Sequence, residues 1–188
     1  TLRTPFTGIN DMSVHNLPST SRAIVTGHTY GLGAALAEQL LERGFAVLGV
    51  ARSRHAALAQ RHTADQFEQV ELDLADTTRV AQWLASGHLQ RFIGAAQQVL
   101  LINNAGTVQP VGPLDMQDPL AVAQAVSLNV AAPLMLASAV TTASAQAADR
   151  RIVHISSGAA RNPYSGWRVY CATKAALDHH APSVALDA

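Results

Sequence analysis

The chain has 188 residues, of which 48% are hydrophobic and 14% are charged, a composition that supplies the core of one domain and excludes intrinsic disorder. Lys plus Arg and Asp plus Glu both number 13, so the formal net charge is zero, which argues against a nucleic-acid-binding surface. The single cysteine, Cys171, cannot form an internal disulfide, and this favours a reducing, cytoplasmic setting.

The first 20 residues show no hydrophobic period and contain several turn formers. We therefore expect residues 1–20 to form an extension ahead of one domain, residues 21–188. The extension lacks a charged start followed by an apolar run, so no signal peptide is expected. Residues 121–140 are uncharged and long enough to span a membrane, but their polar and alanine content favours a buried or interface helix. No membrane partner is therefore predicted.

From Arg22 onward, short apolar runs alternate with segments of helical spacing. The helical segments predict a long helix with a candidate bend at Pro133 and a final helix that begins near Tyr170. This alternation is typical of an α/β fold with a Rossmann-like, doubly wound parallel sheet, in which ligands bind beyond the carboxyl ends of the strands. The predicted strands are residues 22–27, 45–52, 67–74, 98–106 and 150–157, and the predicted helices before the last are residues 32–44, 54–62, 78–87 and 118–147.

The first predicted strand ends in the glycine-rich turn TGHTYGLG. Glycines permit a tight turn and a close backbone approach, and the N-terminus of the next helix offers free N–H groups and a positive dipole end to a pyrophosphate. A turn that merely needs glycine is the alternative, which three glycines in this position disfavour. The cofactor-binding candidates in the turn are Gly27, Thr29, Tyr30, Gly31, Leu32 and Gly33.

The second predicted strand ends in GVARSRH, which contains Arg52 and Arg54 and no acidic residue. An acid at this point would accept the ribose hydroxyls of NAD, whereas an arginine can bind the 2′-phosphate of NADP with two hydrogen bonds. Arg52 is the candidate for this role, and NADP(H) is favoured over NAD(H). The alternative is that both arginines are solvated surface charges.

The ends of the third to fifth predicted strands add further candidates. In ELDLAD, Asp73 would accept a hydrogen bond from the adenine amino group with Leu74 beside it, unless Asp73 caps the next helix, a position for which Asp76 competes. The fifth strand ends in HISSGAA, where one serine hydroxyl would point into the cleft and the other would serve a turn. In NNAG, two amides and two small residues would form a wall that hydrogen-bonds neighbouring backbone and admits a flat ring, although the motif alone is also typical of a turn. Its cofactor-binding candidates are Asn104, Ala105 and Gly106.

Together these motifs resemble those of the short-chain dehydrogenase/reductase family. TGHTYGLG matches the family's T-G-x-x-x-G-x-G turn, NNAG its fourth-strand motif and YCATK its Y-x-x-x-K motif, here Tyr170 and Lys174. Ser157 precedes Tyr170 by 13 residues, a spacing common in the family, and Asn129 falls where the family keeps an asparagine. The resemblance runs from the first predicted strand to the end of the chain. Residues 155–178 further resemble the sepiapterin reductase and benzil reductase branch, which implies an NADPH-dependent reductase of ketones or diketones.

Tyrosine and lysine supply the proton chemistry that carbonyl reduction needs beside a hydride from the cofactor. Positions four apart share one helical face, so the Lys174 ammonium can stabilise the phenolate form of Tyr170, the proton donor. Ser157 would hydrogen-bond the substrate oxygen and orient it. The resemblance further implies that Lys174, beside Tyr170, holds the nicotinamide ribose, so both are cofactor contacts, and that Asn129 holds a water linking Lys174 to solvent.

Other residues near these motifs carry weaker expectations. His179 and His180 point in different directions on a helix, so we expect surface histidines and no metal site. Cys171 is expected to be a packed residue rather than a nucleophile. The candidates for a substrate wall, for which loop packing is the alternative, are Tyr164, Trp167, Val108 and Gln109.

The sequence departs from the family pattern at two points. Family members continue through two more strands and a Pro-Gly motif, so we expect a C-terminally incomplete domain that lacks its last strands and does not turn over by itself. Tyr30 stands where NADP-dependent relatives often have a basic residue. The leading hypothesis is an NADPH-dependent carbonyl reductase of a small-molecule ketone or diketone; the alternatives are an NAD-linked alcohol dehydrogenase and a catalytically silent dinucleotide-binding sensor or scaffold. The alanine-rich long helix resembles the family's dimer-forming helices, which implies a homo-oligomer, a dimer or tetramer.

Overall fold

The computed structural model describes residues 20–185, so the predicted extension lies outside the described residues except for Thr20. Five parallel strands form one sheet, in which the strands numbered along the chain stand in the order third, second, first, fourth and fifth. This order confirms the predicted Rossmann-like fold. Each strand ends one to three residues earlier than predicted, and several residues that follow the first four strands line a cleft. The strands are β1 (Ser21–Thr26), β2 (Ala46–Ala51), β3 (Phe67–Glu71), β4 (Gln98–Asn103) and β5 (Asp149–His154).

Helices connect the strands as expected, with one addition. Gly87 has a φ of 75° and separates two helices where the pattern predicted one. The second of them is anchored by Leu89 and Ile93, which are buried. The helices are α1 (Gly31–Glu42), α2 (Ala56–Arg61), α3 (Thr77–Ala85), α4 (His88–Ile93), α5 (Pro119–Val126), α6 (Ala132–Ala143) and α7 (Arg168–Ala185), with 3₁₀ turns at Leu114–Met116 and Gly158–Ala160.

The predicted long helix is continuous from α5 to α6 but contains a π-helical turn, Ser127–Ala131. The Ala132 N–H donates to the Ser127 carbonyl, five residues back, and Pro133 has no N–H to offer Asn129. The irregularity expected at Pro133 is therefore a widened turn just before it. The helix ends at Ala143, four residues earlier than predicted.

This long helix has the length and composition of a membrane span, and 33% of its most apolar stretch is buried inside the protein. Leu136 and Val140 have no exposed surface and pack in the layer between the helix and the sheet. That placement agrees with the expectation of a buried or interface helix, while Leu120 at the other end of the helix stays exposed.

Two apolar layers hold the sheet between helices. α1 and α2 cover one face, where Val25 and Val47 are fully buried. α3, α4 and α6 cover the other face, where Ile24 and Leu48 are fully buried. Each such side chain contributes about 1.5–3 kcal/mol by leaving water. Because all the strands are parallel, their carboxyl ends lie at one edge, where the polar motifs meet.

Candidate active site

The loops that follow β1 to β4 enclose a cleft of about 410 Å³ at the carboxyl edge of the sheet. The long helix supplies one wall, which no motif marked because its lining residues, three of them small or apolar, carry no ionisable or nucleophilic group. Leu32 is 55% exposed. The predicted cofactor contacts that do not line the cleft are Gly31, Leu32, Gly33, Asn104, Tyr170 and Lys174. The predicted residues that do line it are Gly27, Thr29, Tyr30, Arg52, Asp73, Leu74, Ala105, Gly106 and Gln109, and the helix adds Ala121, Gln124, Ala125 and Leu128.

The glycine turn is clamped against the end of β4. Asn104 Nδ2 donates to the carbonyl oxygens of Thr26 and Gly27 at 2.9 and 3.2 Å, as expected for an amide that bonds neighbouring backbone. Gly27 has a φ of 69°, and a Cβ there would come within 3.0 Å of Asn104 Nδ2. A Cβ on Gly33 would overlap the Gly27 carbonyl oxygen. These two glycines are required by close contacts inside the protein, which shape the turn that faces the cleft.

Thr26 is a positioning residue that the sequence motifs did not predict. Its hydroxyl oxygen accepts hydrogen bonds from the backbone N–H groups of Asn104 and Ala105 at 2.9 and 3.0 Å. The hydroxyl therefore fixes the segment after β4 to the segment after β1. The threonine of the T-G pair was the available signal, but the prediction treated it as part of the buried strand, residues 22–27.

The polar groups of the cleft divide into free and occupied ones. Arg52 lines the cleft, whereas Arg54 forms an exposed ion pair with Glu71 at 3.7 Å. Asp73 accepts from the Ala75 N–H at 2.9 Å within its own turn. The helix-cap role left open for Asp73 falls to Asp76, whose carboxylate accepts from the backbone N–H three residues later at 3.0 Å.

Lys174 and Tyr170 lie one turn apart near the start of α7. Lys174 is only 4% exposed, and its ammonium donates to the Ile155 carbonyl oxygen at 2.7 Å. Nζ lies 5.7 Å from the centroid of the Tyr170 ring. Burial lowers the pKa of Lys174 below its ordinary value, and the nearby Asp178 carboxylate opposes that shift.

Gly106 joins the lysine to the cleft. It lines the cleft, and a Cβ built on it would stand 3.7 Å from Lys174 Nζ and 3.2 Å from Asn129 Oδ1. Asn129 is 1% exposed and lies in the π-helical turn. The structure therefore brings two predicted site residues, Lys174 and Asn129, together beside a third, Gly106.

Ser157 serves a turn, the role expected for one of the two serines. Its hydroxyl oxygen accepts from the Ala159 N–H at 3.2 Å and caps the 3₁₀ turn after β5. This bond uses an oxygen lone pair and leaves the hydroxyl hydrogen to donate elsewhere. Ser156 is the more exposed of the pair.

Three aromatic rings follow one another beside this turn. The ring centroids of Tyr164 and Trp167 are 5.5 Å apart, and those of Trp167 and Tyr170 are 5.7 Å apart in an edge-on arrangement. Tyr164 is 47% exposed and Trp167 37%. Val108 is half-buried and outside the cleft lining, whereas Gln109 lines the cleft rather than this aromatic row.

The histidine prediction needs a correction. His179 is exposed, but His180 is half-buried and its Nδ1 lies 3.1 Å from His154 Nε2, so it is not a plain surface residue. The cause is the position of β5 under α7, a long-range contact. Among residues 20–185, no cluster of three or more His, Cys, Asp and Glu side chains is suited to hold a metal. Cys171 is half-buried, with its sulfur 3.9 Å from the Asn162 carbonyl oxygen.

Comparison with known proteins places this site in context. The family model for short chain dehydrogenases matches residues 21–188. The chain is 33% identical over 174 residues to the benzil reductase ((S)-benzoin forming) of Bacillus cereus, which covers 87% of this chain and 67% of that enzyme. It is 34% identical over 169 residues to the sepiapterin reductase of Xenopus tropicalis, and this match covers 82% of this chain and 64% of that enzyme. The predicted likeness to this branch is confirmed, and the chain spans about two thirds of the length of these curated relatives.

Two solved structures show the same architecture. A short-chain dehydrogenase/reductase from Burkholderia vietnamiensis is 62% identical, with a TM-score of 0.88 over 92% of this chain and 79% of that one. A short-chain dehydrogenase from Sphingobium yanoikuyae, in complex with NADPH, is 30% identical, with a TM-score of 0.77 over 89% of this chain and 65% of that one.

Proposed function

The chain belongs to the short-chain dehydrogenase family, and on that premise we propose that the full-length protein is an NADPH-dependent carbonyl reductase of ketones or vicinal diketones. The observation that carries the proposal is the position of Lys174 between Tyr170 and Gly106. The ammonium is 5.7 Å from the Tyr170 ring centroid and 3.7 Å from the point where a Gly106 Cβ would stand. The phenol of Tyr170 thus lies beside a buried cation that adjoins Gly106 in the cleft lining. A phenol supported by a cation is the arrangement that protonating a bound carbonyl requires.

The cleft fits a nicotinamide dinucleotide by the chemistry of its lining. Tyr30 precedes the 12-residue helix α1 and forms no side-chain cap, so the first N–H groups of the helix remain available to a pyrophosphate. A Cβ on Gly31 would meet nothing within 4 Å, so this end of the turn is open. Arg52 would bind the 2′-phosphate of the adenosine ribose, and Asp73 would accept from the adenine amino group.

The chain's own residues supply the proton and its support. When bound, the cofactor supplies the hydride to the carbonyl carbon. The Tyr170 hydroxyl gives its proton to the carbonyl oxygen, so the substrate becomes an alcohol and Tyr170 becomes a phenolate. The Lys174 ammonium stabilises that phenolate, and the lowered pKa of Lys174 eases the return of a proton to it. The Ser157 hydroxyl hydrogen donates to the same carbonyl oxygen and orients it.

A water next to Asn129 would reconnect Lys174 to solvent, and we assign its contact to the main-chain carbonyl of Asn129. The side chain is already occupied by Thr107 and Thr173. Because Pro133 has no N–H, the carbonyl of Asn129 lacks the donor that an ordinary α-helix would give it. It therefore has a lone pair available for water.

The aromatic row supports a substrate with flat rings. Trp167 lies between Tyr164 and the proposed proton donor Tyr170, so a ring bonded to the reacting carbonyl would lie against an aromatic face or edge. The Bacillus cereus relative is named for benzil, a diketone with two such rings. This combination favours aryl ketones and aryl diketones as the first substrates to test.

We also propose that the full-length protein is a homo-oligomer that packs through the long helix. The alanine-rich helix keeps Leu120 65% and Val126 43% exposed, and burying such apolar side chains favours association. Light scattering on the full-length protein would test this, and a monomer at micromolar concentrations would contradict it.

The activity is tested by adding benzil, an aryl monoketone and an aliphatic ketone to the full-length protein with NADPH or NADH. We expect faster oxidation of NADPH than of NADH, and a product alcohol in stoichiometric amount. Preference for NADH with oxidation of the alcohol would favour an NAD-linked alcohol dehydrogenase. Binding of the dinucleotide without turnover of any ketone would favour the silent sensor.

A further inference from the structure

We propose that His28 and Gln69 form a positioning pair that holds the glycine turn against the loop carrying Arg52, and that this spacing favours NADPH over NADH. The inference rests on the proposed function, because it requires a nicotinamide dinucleotide in the cleft. Neither residue lines the cleft, so neither is a catalytic or binding residue itself.

The His28 ring is buried under the turn rather than exposed in it. His28 follows Gly27 in TGHTYGLG, yet its exposed fraction is 0%. Its Nε2 lies 2.8 Å from Gln69 Oε1, on a strand 41 residues away in sequence. Its ring also meets the Phe67 ring edge-on, at 5.7 Å between centroids. The turn is thereby anchored into the layer beneath α1 and α2.

The hydrogen bonds define which atom donates. Gln69 Oε1 also lies 2.6 Å from the backbone nitrogen of His55, and a backbone N–H can only donate. The shared side-chain atom must therefore be the amide oxygen, an acceptor, so the proton of the neutral imidazole is on His28 Nε2. Burial lowers the pKa of His28, which keeps the ring neutral and this donor arrangement intact.

Gly49 makes room for the ring. In the sheet, Gly49 is the register partner of both Val25 on β1 and Gln69 on β3. It therefore lies between β1, which leads to His28, and Gln69. A Cβ on Gly49 would stand 2.5 Å from His28 Cγ. Glycine weakens the interior of a strand unless another group must approach closely, and here the imidazole does. The ring crosses β2 at the one residue of that strand without a side chain.

One amide oxygen consequently connects three segments that line the cleft. His28 belongs to the turn that would bind the pyrophosphate of either cofactor. His55 ends the loop that contains Arg52, and it also caps α2 by accepting the Leu58 N–H at 3.1 Å. Gln69 belongs to β3, which leads to Asp73. Only NADPH engages both the turn and Arg52, so a change in the distance between them weakens NADPH more than NADH.

The first test measures the dissociation constants of NADPH and NADH for the full-length protein and for Gln69→Leu, which keeps the side-chain volume and removes the acceptor. We expect the NADPH preference to fall about fivefold or more, the size of one or two lost hydrogen bonds. Because both constants come from one sample, their ratio does not depend on how much of a destabilised variant is folded. A Gln69→Leu ratio equal to that of the natural protein would overturn the positioning role.

Two further variants separate positioning from packing. His28→Ala combined with Gly49→Ala refills part of the space without the hydrogen bond, and its NADPH preference should stay low; recovery to the natural ratio would overturn the proposal. In an Arg52→Ala background, Gln69→Leu should leave the ratio unchanged, and a further loss there would also overturn it.

The same measurements distinguish failure of the proposed function from failure of this inference. If the natural protein binds neither dinucleotide, or prefers NADH, the proposed NADPH function and this inference both fail. If it prefers NADPH and Gln69→Leu keeps that preference, only the inference fails.

Discussion

The side chain of Asn129 pairs with the main chain of Thr107 in both directions. Asn129 Nδ2 donates to the Thr107 carbonyl oxygen at 2.8 Å, and the Thr107 N–H donates to Asn129 Oδ1 at 2.8 Å. A neighbouring strand would offer the same two bonds. Nδ2 also donates to Thr173 Oγ1 at 3.1 Å, one residue before Lys174. A single buried amide therefore ties the segment after β4, the π-helical turn and α7 around the site.

The first prediction follows from this pairing. Asn129→Asp keeps the shape of the side chain but loses both Nδ2 donors, so the Thr107 carbonyl faces a carboxylate oxygen in a buried position. We expect unfolding to become easier by about 2–4 kcal/mol, the cost of unpaired buried polar groups. Urea unfolding followed by circular dichroism measures it.

The matched control is Gln124→Glu, the same amide-to-carboxylate change on an exposed residue of the same helix. It should change the free energy of unfolding by less than about 0.5 kcal/mol. Equal effects of the two substitutions would show that the Asn129 pairing contributes nothing specific.

The second prediction concerns the proton donor. Tyr170→Phe keeps the ring and removes the hydroxyl, so the full-length protein should lose about 10²–10⁴-fold in kcat while still binding NADPH. Stopped-flow turnover and fluorescence titration measure the two quantities. Tyr164→Phe removes a hydroxyl from the same aromatic row and should stay within a few-fold of the natural kcat. Full activity of Tyr170→Phe would exclude Tyr170 as the donor.

The third prediction concerns the choice of cofactor. Arg52→Asp places a carboxylate where the 2′-phosphate would bind, so NADPH affinity should fall while NADH affinity holds or rises. Arg54→Asp is the matched control, because Arg54 is an exposed residue paired with Glu71 and does not line the cleft. An unchanged ratio of NADPH to NADH affinity in Arg52→Asp would show that Arg52 does not bind the 2′-phosphate, and Arg54 or Thr29 would become the candidate.

Local patterns in the sequence were sufficient for the strands and for the ends that carry polar motifs. The run at Gln98–Asn103 is apolar and short, and the following Asn104 bonds the neighbouring backbone as its position suggested. Such features depend on residues close in sequence and on the general rule that parallel strands end at one edge.

Long-range packing explains what the patterns missed. A histidine in a glycine-rich loop looks exposed, and His28 is buried only because Gly49 and Gln69 meet it across the sheet. The same holds for His180, which pairs with His154 on β5. The wall of the cleft formed by the long helix depends on how that helix crosses the sheet, which its own composition does not encode.

The fourth prediction uses the neutral state of His154. Its Nδ1 lies 3.2 Å from Asn103 Nδ2 and its Nε2 lies 3.1 Å from His180 Nδ1. The asparagine amide donates to Nδ1, so Nε2 carries the ring proton and donates to His180. Burial, with the positive charges that His180 and Lys174 can carry nearby, lowers the pKa of His154 to about 4 from 6.5.

Protonation therefore favours the unfolded chain in a defined window. Below its ordinary pKa of 6.5, the unfolded His154 binds a proton that the folded protein refuses until about pH 4. The stability owed to the neutral ring is complete above that window and is lost as the pH falls through it. Over this range the free energy of unfolding should decrease as the pH falls. Its slope against pH should correspond to the uptake of up to about one proton on unfolding from this residue alone.

Urea unfolding at several pH values between about 4 and about 7 measures the slope, with His154→Gln as the test variant. Glutamine keeps hydrogen-bonding groups but does not titrate. The free energy of unfolding of His154→Gln should therefore depend less steeply on pH, by the equivalent of up to about one proton. His28 is also buried with a lowered pKa and contributes in the same direction, but it is present in both proteins and cancels in the comparison. His179→Gln, at an exposed position on α7, should leave the natural slope unchanged. Identical slopes for the natural protein and His154→Gln would mean that His154 does not remain neutral in the folded state.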